Sequence, residues 1–202
     1  MMVVATAREI LRKAFNGATA SLTSVRSALK LARARLNPAI SLAPGVFLDQ
    51  GVKLRATDGG RIVLGRNVSV GRFSRIIASG GSIEIGDDAL VSDGCIIVAQ
   101  AAIMIGADTQ IAEYVTIRDQ DHNLSARPIR TSGFATAPVR IGRNVWLGAK
   151  ASVLRGATIG DGAVIGAHAL VRGVIPANCI AAGVPARVMR EIAEPTPKSH
   201  DS

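Results

Sequence analysis

The chain has 202 residues, of which 48% are hydrophobic, so it is long enough for one domain with a substantial core, and general disorder is excluded. Only 3% of the residues are aromatic while 21 are glycine, so the core must be built from aliphatic side chains, as it is in repeat architectures. Of the net charge of +9, residues 1–45 carry +6 through seven basic side chains and one acid, and because few aromatic rings accompany them, a nucleic-acid partner is not expected.

Residues 1–37 are predicted to form a basic amphipathic helical extension, which ends at Asn37-Pro38. Its apolar stripe consists of residues three or four apart, namely Leu22, Val25, Leu29, Ala32 and Leu36. The helix either packs on the open end of the structure that follows or lies on an anionic membrane surface. The first apolar run is too short for a secretory signal, whereas the acid-poor composition also fits a transit peptide.

From residue 40 onward, aliphatic side chains recur every six residues. The clearest run is Ile141, Leu147, Val153, Ile159, Ile165 and Val171, and similar triplets occur upstream. A helix would need apolar returns near 3.6 residues, so this period predicts short parallel strands stacked as a solenoid. Three strands make one 18-residue coil, and about six coils fit within residues 38–185. Cys95, two residues before the inward Ile97, is predicted to be a small core residue.

One interruption divides the repeat. The first inward positions of successive coils are 42, 64, 85, 105, 141 and 159, so one spacing is 36 residues. An ordinary coil there would bury Asp121 and Arg127 in a narrow aliphatic core, at a cost on the order of several kcal/mol each. Residues 118–138 are therefore predicted to form a protruding loop. The loop departs at the stretch RDQDHN, which places Asp119, Asp121 and His122 together.

The most specific stretch of the chain starts at residue 137 and reads APVRIGRNVWLGAKASVLRGATIGDGAVIGAHALV, and IPANCIAAGVPARVMR follows from residue 175. With His122 before it, this stretch resembles the hexapeptide-repeat acyltransferases, in particular the galactoside, maltose and polysaccharide O-acetyltransferase branch. The resemblance covers about residues 40–192. It implies an all-β solenoid, specifically a left-handed parallel β-helix, assembled as a homotrimer, with a short C-terminal helix and flexible tail in residues 186–202.

The resemblance also implies a chemistry. Acyl transfer from a thioester to a hydroxyl requires a base for the hydroxyl proton and donors for the developing oxyanion. His122 matches the catalytic histidine of the family, and Asp119 or Asp121 either orients its imidazole or caps a turn. Ser92 stands where the galactoside branch has an asparagine that binds the acceptor, which weakens the case for a galactoside-like acceptor.

The family pattern further implies acetyl-CoA as the acetyl donor, with no metal required. The thioester oxygen is expected at the backbone amide of Ala149, with Trp146 nearby. The remaining coenzyme A contacts are expected from the backbone at Ala167 and from basic side chains at Arg172, Arg187 and Arg190.

Two alternatives stay open. A γ-class carbonic anhydrase shares the fold but needs a close pair of histidines, whereas His122, His168 and His200 are 46 and 32 residues apart. A catalytically silent β-helix could instead serve as a scaffold or binding module. The favoured interpretation is a cytoplasmic enzyme, with peripheral contact at the inner face of the membrane as an option, that acetylates a sugar or a polysaccharide precursor. Cys95 and Cys179 lack metal-ligand or redox spacing, which fits a reducing compartment.

Overall fold

The computed structural model describes residues 37–125 and 127–192 of the chain. The extension predicted for residues 1–37 thus lies outside the described residues except for Asn37, and so do residues 193–202 of the C-terminal tail. Within the described part, no helix has the length and apolar character needed to cross a membrane.

The chain winds through three sheets in turn and, apart from one excursion and the last strand, the strands within each sheet pair in parallel, which makes a parallel β-helix. Sheet A holds β1 (Ile40–Leu42), β4 (Arg61–Leu64), β7 (Ser82–Ile85), β10 (Ala102–Ile105), β15 (Val139–Ile141), β18 (Thr158–Ile159) and β21 (Val174–Ile175). Sheet B holds β2 (Phe47–Leu48), β5 (Ser69–Val70), β8 (Leu90–Val91), β11 (Gln110–Ile111), β16 (Trp146–Leu147), β19 (Val164–Ile165), β22 (Cys179–Ala182) and β23 (Arg187–Glu191). Sheet C holds β3 (Lys53–Thr57), β6 (Arg75–Ser79), β9 (Ile96–Ala99), β12 (Thr116–Arg118), β17 (Ser152–Val153) and β20 (Leu170–Val171).

The core is the stack of aliphatic side chains at the predicted six-residue positions. These side chains are buried from Leu64 to Val171, while Leu42 and Leu54 of the first coil are half-buried against them. Burying each such side chain contributes roughly 1.5–3 kcal/mol. The predicted period and register are therefore confirmed. Cys95 is a core residue as predicted, and its burial raises the pKa of the thiol to about 11.

The predicted loop is confirmed as an excursion from the solenoid. Residues 120–136 leave the coil between Asp119 and Ala137, and the Ala137 amide donates to the Asp119 carbonyl at 2.9 Å, which closes the base. The excursion contains an antiparallel ribbon of β13 (Gln120–His122) and β14 (Phe134–Thr136), and a 3-10 turn at Ile129–Thr131. Beyond it, Ile141 pairs in register with Ile105, so the coil stacking continues without a shift.

The prediction of a C-terminal helix over residues 186–202 is wrong for the described part. The chain reverses after Gly183, whose φ of 98° is in the left-handed region, and β23 then runs antiparallel to β22. The physical reason is the edge of sheet B. The last strand of a solenoid presents unpaired backbone groups, and a returning strand pairs with them where a helix would not.

The corner between sheets B and C repeats one backbone shape on each coil. Tyr114, Lys150 and His168 occupy the same place in successive coils, each with a φ of 59°. At the preceding coil this place is Gly94, and a side chain there would collide with the Tyr114 ring, which comes within 2.5 Å of the position a Cβ would take. The corner residues are thereby held in fixed positions on the outside of the coil.

Candidate active site

His122 lies at the end of β13, on the ribbon that protrudes at the corner between sheets C and A. Its imidazole is exposed and faces Phe134 across the ribbon, with ring centroids 4.8 Å apart and the planes inclined at 32°. The backbone register pairs the same two residues. The excursion therefore presents a histidine that is held from one side by an aromatic ring.

Side chains alternate along β13, so Gln120 shares the His122 side of the ribbon while Asp121 faces the other side. Gln120 is 7% exposed, and its buried Oε1 has no hydrogen-bond partner among the described residues. An unsatisfied oxygen of this kind is unusual in a folded protein. Neither Gln120 nor Phe134 was singled out from the sequence, although Gln120 is two residues from His122 and is therefore expected on the same side of a strand.

The Asp119 side chain is fully buried at the base of the ribbon. Its carboxylate oxygens accept hydrogen bonds from the backbone amides of Gln100 at 2.8 Å and Ala101 at 2.7 Å, in the coil before. These bonds satisfy two backbone donors of half-buried residues in that turn. Asp119 thus joins the departure point of the ribbon to the neighbouring coil.

Asp121 forms an ion pair with Arg155, with 2.5 Å between the carboxylate Oδ2 and the guanidinium Nε. Arg155 follows β17, on the coil after the excursion, and was not singled out from the sequence. Among the described residues, neither Asp119 nor Asp121 has a hydrogen bond or ion pair with the His122 side chain. Which carboxylate, if either, orients the imidazole during a reaction stays a prediction.

The residues predicted to hold a thioester lie elsewhere, on sheet B and its corner with sheet C. Trp146 points outward from β16 with 55% of its surface exposed, between Gln110 and Val164 of the neighbouring strands. Ala149 and Ala167 follow at the corner, one coil apart. The indole and the two corner backbones therefore border one surface strip.

The backbone amides of Ala149 and Ala167 have no acceptor within the described part of the chain. At the same corner three coils earlier, the amide of Arg72 is capped by the Asp93 side chain of the next coil, at 2.7 Å. The side chain of Ala167 has no oxygen that could accept a hydrogen bond, so the amide of Ala149 stays open. A free N–H at a rigid corner is a suitable donor for a ligand oxygen.

Arg187 and Arg190 lie on β23, at the end of sheet B and beyond β19 and β22. The pairing with β22 shifts between Ile180 and Ala181, so that Arg190 pairs with Ile180 and Arg187 with Ala182. Such a bulge changes the alternation of side chains. Because Ile180 and Ala182 point to the same face, the bulge puts both arginines on the outer face of sheet B.

Ser92 lies in an open pocket on sheet B, at the same corner. The polar side chains lining the pocket come from Asp49, Ser69, Arg72, Ser92, Asp93 and Glu113. Arg72 reaches the buried Asp49 carboxylate at 3.4 Å. Apart from Ser92, sequence reasoning identified none of these residues.

The predicted site residues thus fall on two different corners of the β-helix. Trp146, Ala149, Ala167 and Ser92 belong to sheet B and its corner with sheet C, whereas His122 and the exposed Arg172 belong to the corner between sheets C and A. Sheet C separates the two groups within one chain. In the described residues, no three His, Cys, Asp or Glu side chains are grouped as metal ligands.

Comparison with known proteins gives consistent matches. Residues 138–173 match the family described as Bacterial transferase hexapeptide (six repeats). The protein Rv3034c of Mycobacterium tuberculosis, named as an acetyltransferase, is 41% identical over 157 residues, which cover 76% of this chain and 52% of that protein. The chain thus spans about half the length of this relative.

Two further matches cover more of the related protein. WbbJ of Escherichia coli K12, named as a lipopolysaccharide biosynthesis O-acetyl transferase, is 37% identical over 142 residues, which cover 65% of this chain and 72% of WbbJ. The crystal structure of a maltose O-acetyltransferase from Clostridium difficile 630 superposes with a TM-score of 0.52 at 28% identity, covering 77% of this chain and 72% of that one.

The buried bonds of Asp119 give a testable expectation. Replacing Asp119 by Ala leaves the amides of Gln100 and Ala101 without acceptors, so the free energy of unfolding should fall by about 1–3 kcal/mol for each stranded amide. Denaturant titration of the folded protein measures this change. Glu84→Ala, which removes an exposed carboxylate from sheet A, is the control and should stay within about 0.5 kcal/mol of wild type. A wild-type unfolding free energy for Asp119→Ala would contradict the anchoring role.

Proposed function

The chain belongs to the family of hexapeptide-repeat acyltransferases, and its parallel β-helix is the left-handed helix of that family. We propose that the protein moves an acetyl group from acetyl-CoA to a hydroxyl of a sugar or polysaccharide precursor. The observation that carries the proposal is the exposed imidazole of His122 on a ribbon whose base is fixed to the solenoid. The names of WbbJ and of the maltose enzyme support the acceptor class.

In the proposed reaction, His122 acts as general base. Its neutral imidazole takes the proton of the acceptor hydroxyl while the oxygen attacks the thioester carbonyl carbon. The carbonyl oxygen becomes an oxyanion, which the open amide of Ala149 is placed to bind. The carbon–sulfur bond then breaks, and the imidazolium returns its proton to the departing thiolate. Acetyl ester and free coenzyme A are the products.

Charge complementarity supports the placement of the cofactor along sheet B. Coenzyme A carries phosphate groups, for which paired guanidinium groups are suitable partners. Arg187 and Arg190 share the outer face of β23, on the same sheet as Trp146. In this proposal the two arginines bind phosphates, Trp146 lines the pantetheine arm, and the amide of Ala167 offers a further donor. Arg172, on the other corner, would bind a phosphate of the coenzyme A that is held by a neighbouring copy.

The two-corner arrangement supports a homotrimer. His122 and the corner with Ala149 are separated by sheet C in one chain, so the proposed base cannot reach the proposed thioester site of its own chain. A second copy that places its His122 ribbon beside that corner completes the site. The pocket at Ser92 would then receive the acceptor between the two copies. We place the trimer in the cytoplasm, with the basic residues 1–37 available for an anionic membrane surface.

Replacing His122 by Ala tests the proposed base. The melting temperature and coenzyme A affinity should stay near wild type because the side chain is exposed, while turnover should fall by roughly 10²- to 10⁴-fold. Turnover is measured as thiol release from acetyl-CoA with maltose, methyl galactoside and a nucleotide sugar as acceptors, and mass spectrometry identifies the acetylated product. His168→Ala is the comparison, because it removes another exposed imidazole. Retention of more than about a tenth of turnover by His122→Ala, well outside the usual range for a general base, would refute the assignment.

Replacing Ala167 by Asn tests the open amide of Ala149. The Asn side-chain oxygen should accept the Ala149 N–H as Asp93 accepts that of Arg72, which removes the donor from the thioester. Turnover should fall by roughly 10²-fold or more, the usual effect of losing one oxyanion donor, without loss of folding. Ala107→Asn makes the same change at the corner between sheets A and B and should leave turnover unchanged. Equal turnover for the two variants would exclude the Ala149 amide as the donor.

A further inference from the structure

We propose that Arg155 is a positioning residue for the reaction: through its ion pair with Asp121 it fixes the strand that carries His122. The inference rests on the proposed function, since it assumes that His122 is the base. Arg155 is 34 residues away from Asp121 along the chain, so only the folded excursion brings them together.

The contacts of the ribbon show where it is held. At its base, the Ala137 amide binds the Asp119 carbonyl, and the Gly156 amide binds the Ala137 carbonyl at 3.0 Å. Beyond this base, the Asp121–Arg155 pair is the one hydrogen bond or ion pair among the described residues that ties the ribbon to a coil. The remaining polar contacts, such as Asn123 with Gly133, lie within the excursion itself.

Strand geometry carries the effect from Asp121 to His122. Adjacent side chains on a strand point to opposite sides, so holding Asp121 on one side of the ribbon fixes His122 on the other side, which it shares with Gln120. Phe134 then supports the imidazole from across the ribbon. The pair therefore sets the direction in which the proposed base projects.

The energy expected of this ion pair is small, which fits a positioning role better than a role in stability. The Asp121 and Arg155 side chains are 53% and 42% exposed, and exposed ion pairs contribute little to the free energy of unfolding. A displaced catalytic group, by contrast, slows a reaction steeply, with about 1 Å of misplacement able to cost roughly 100-fold. The loss should appear in kcat rather than in cofactor binding, because the groups proposed to bind coenzyme A lie on sheet B and its corner and not on the ribbon.

The test compares Arg155→Gln with Arg140→Gln, which changes an exposed arginine of sheet A. Arg155→Gln should lower kcat by about 5- to 30-fold, within the range for a displaced base, with KM for acetyl-CoA within about twofold of wild type. Arg155→Lys should recover part of kcat because it restores the charge. Hydrogen–deuterium exchange of the peptides spanning residues 120–136 should rise in Arg155→Gln and not in the control.

A double-mutant cycle with Asp121→Asn separates positioning from direct action on the imidazole. If the pair acts as a unit, Asp121→Asn, Arg155→Gln and the double variant should lose kcat by similar factors. A much larger loss for Asp121→Asn than for Arg155→Gln, or a wild-type kcat in Arg155→Gln, would overturn the inference. Failure of the proposed function would show differently, as no loss of turnover in His122→Ala. In that case the hydrogen–deuterium exchange of Arg155→Gln would still decide whether Arg155 holds the ribbon.

Discussion

The structure depends on the packing of aliphatic side chains that recur every six residues into one narrow core. Because each of these side chains packs on its counterpart in the next coil, the coils must stack in register, and the outward positions and corners are left free. The register survives even the excursion of residues 120–136, since Ile141 lies directly on Ile105. The ribbon and the corner residues are therefore additions to a stack of coils whose register does not change.

This constraint makes the chemistry of a corner depend on single residues. The amide of Arg72 is capped because aspartate follows at the same place one coil later, and the amide of Ala149 is open because alanine does. Similarly, one bulge in β23 brings Arg187 and Arg190 to the same face, where regular alternation would separate them. Small differences between coils thus distinguish a corner with a capped amide from a corner with an open one, while the backbone stays the same.

The repeat, the register and the excursion could be predicted because they follow from apolar periodicity and from the cost of burying Asp121 and Arg127. The antiparallel ribbon and the pairing of Asp121 with Arg155 could not, since that contact joins residues 34 positions apart through a segment outside the repeat. The C-terminal strand was predicted as a helix because the sequence does not reveal which sheet edge is left open. The assignment of roles to the site residues rests on family resemblance.

We propose that one catalytic site is built from two chains, with His122 from one copy and the Ala149 corner from the next. Coexpression of His122→Ala and Ala167→Asn chains with different tags, followed by purification through both tags, isolates mixed trimers. In such a trimer one of the three interfaces pairs an intact His122 with an intact corner, so the account predicts recovery of about a third of wild-type turnover. Turnover of the mixed trimers no higher than that of the separate variants would contradict it, because each site would then lie within a single chain.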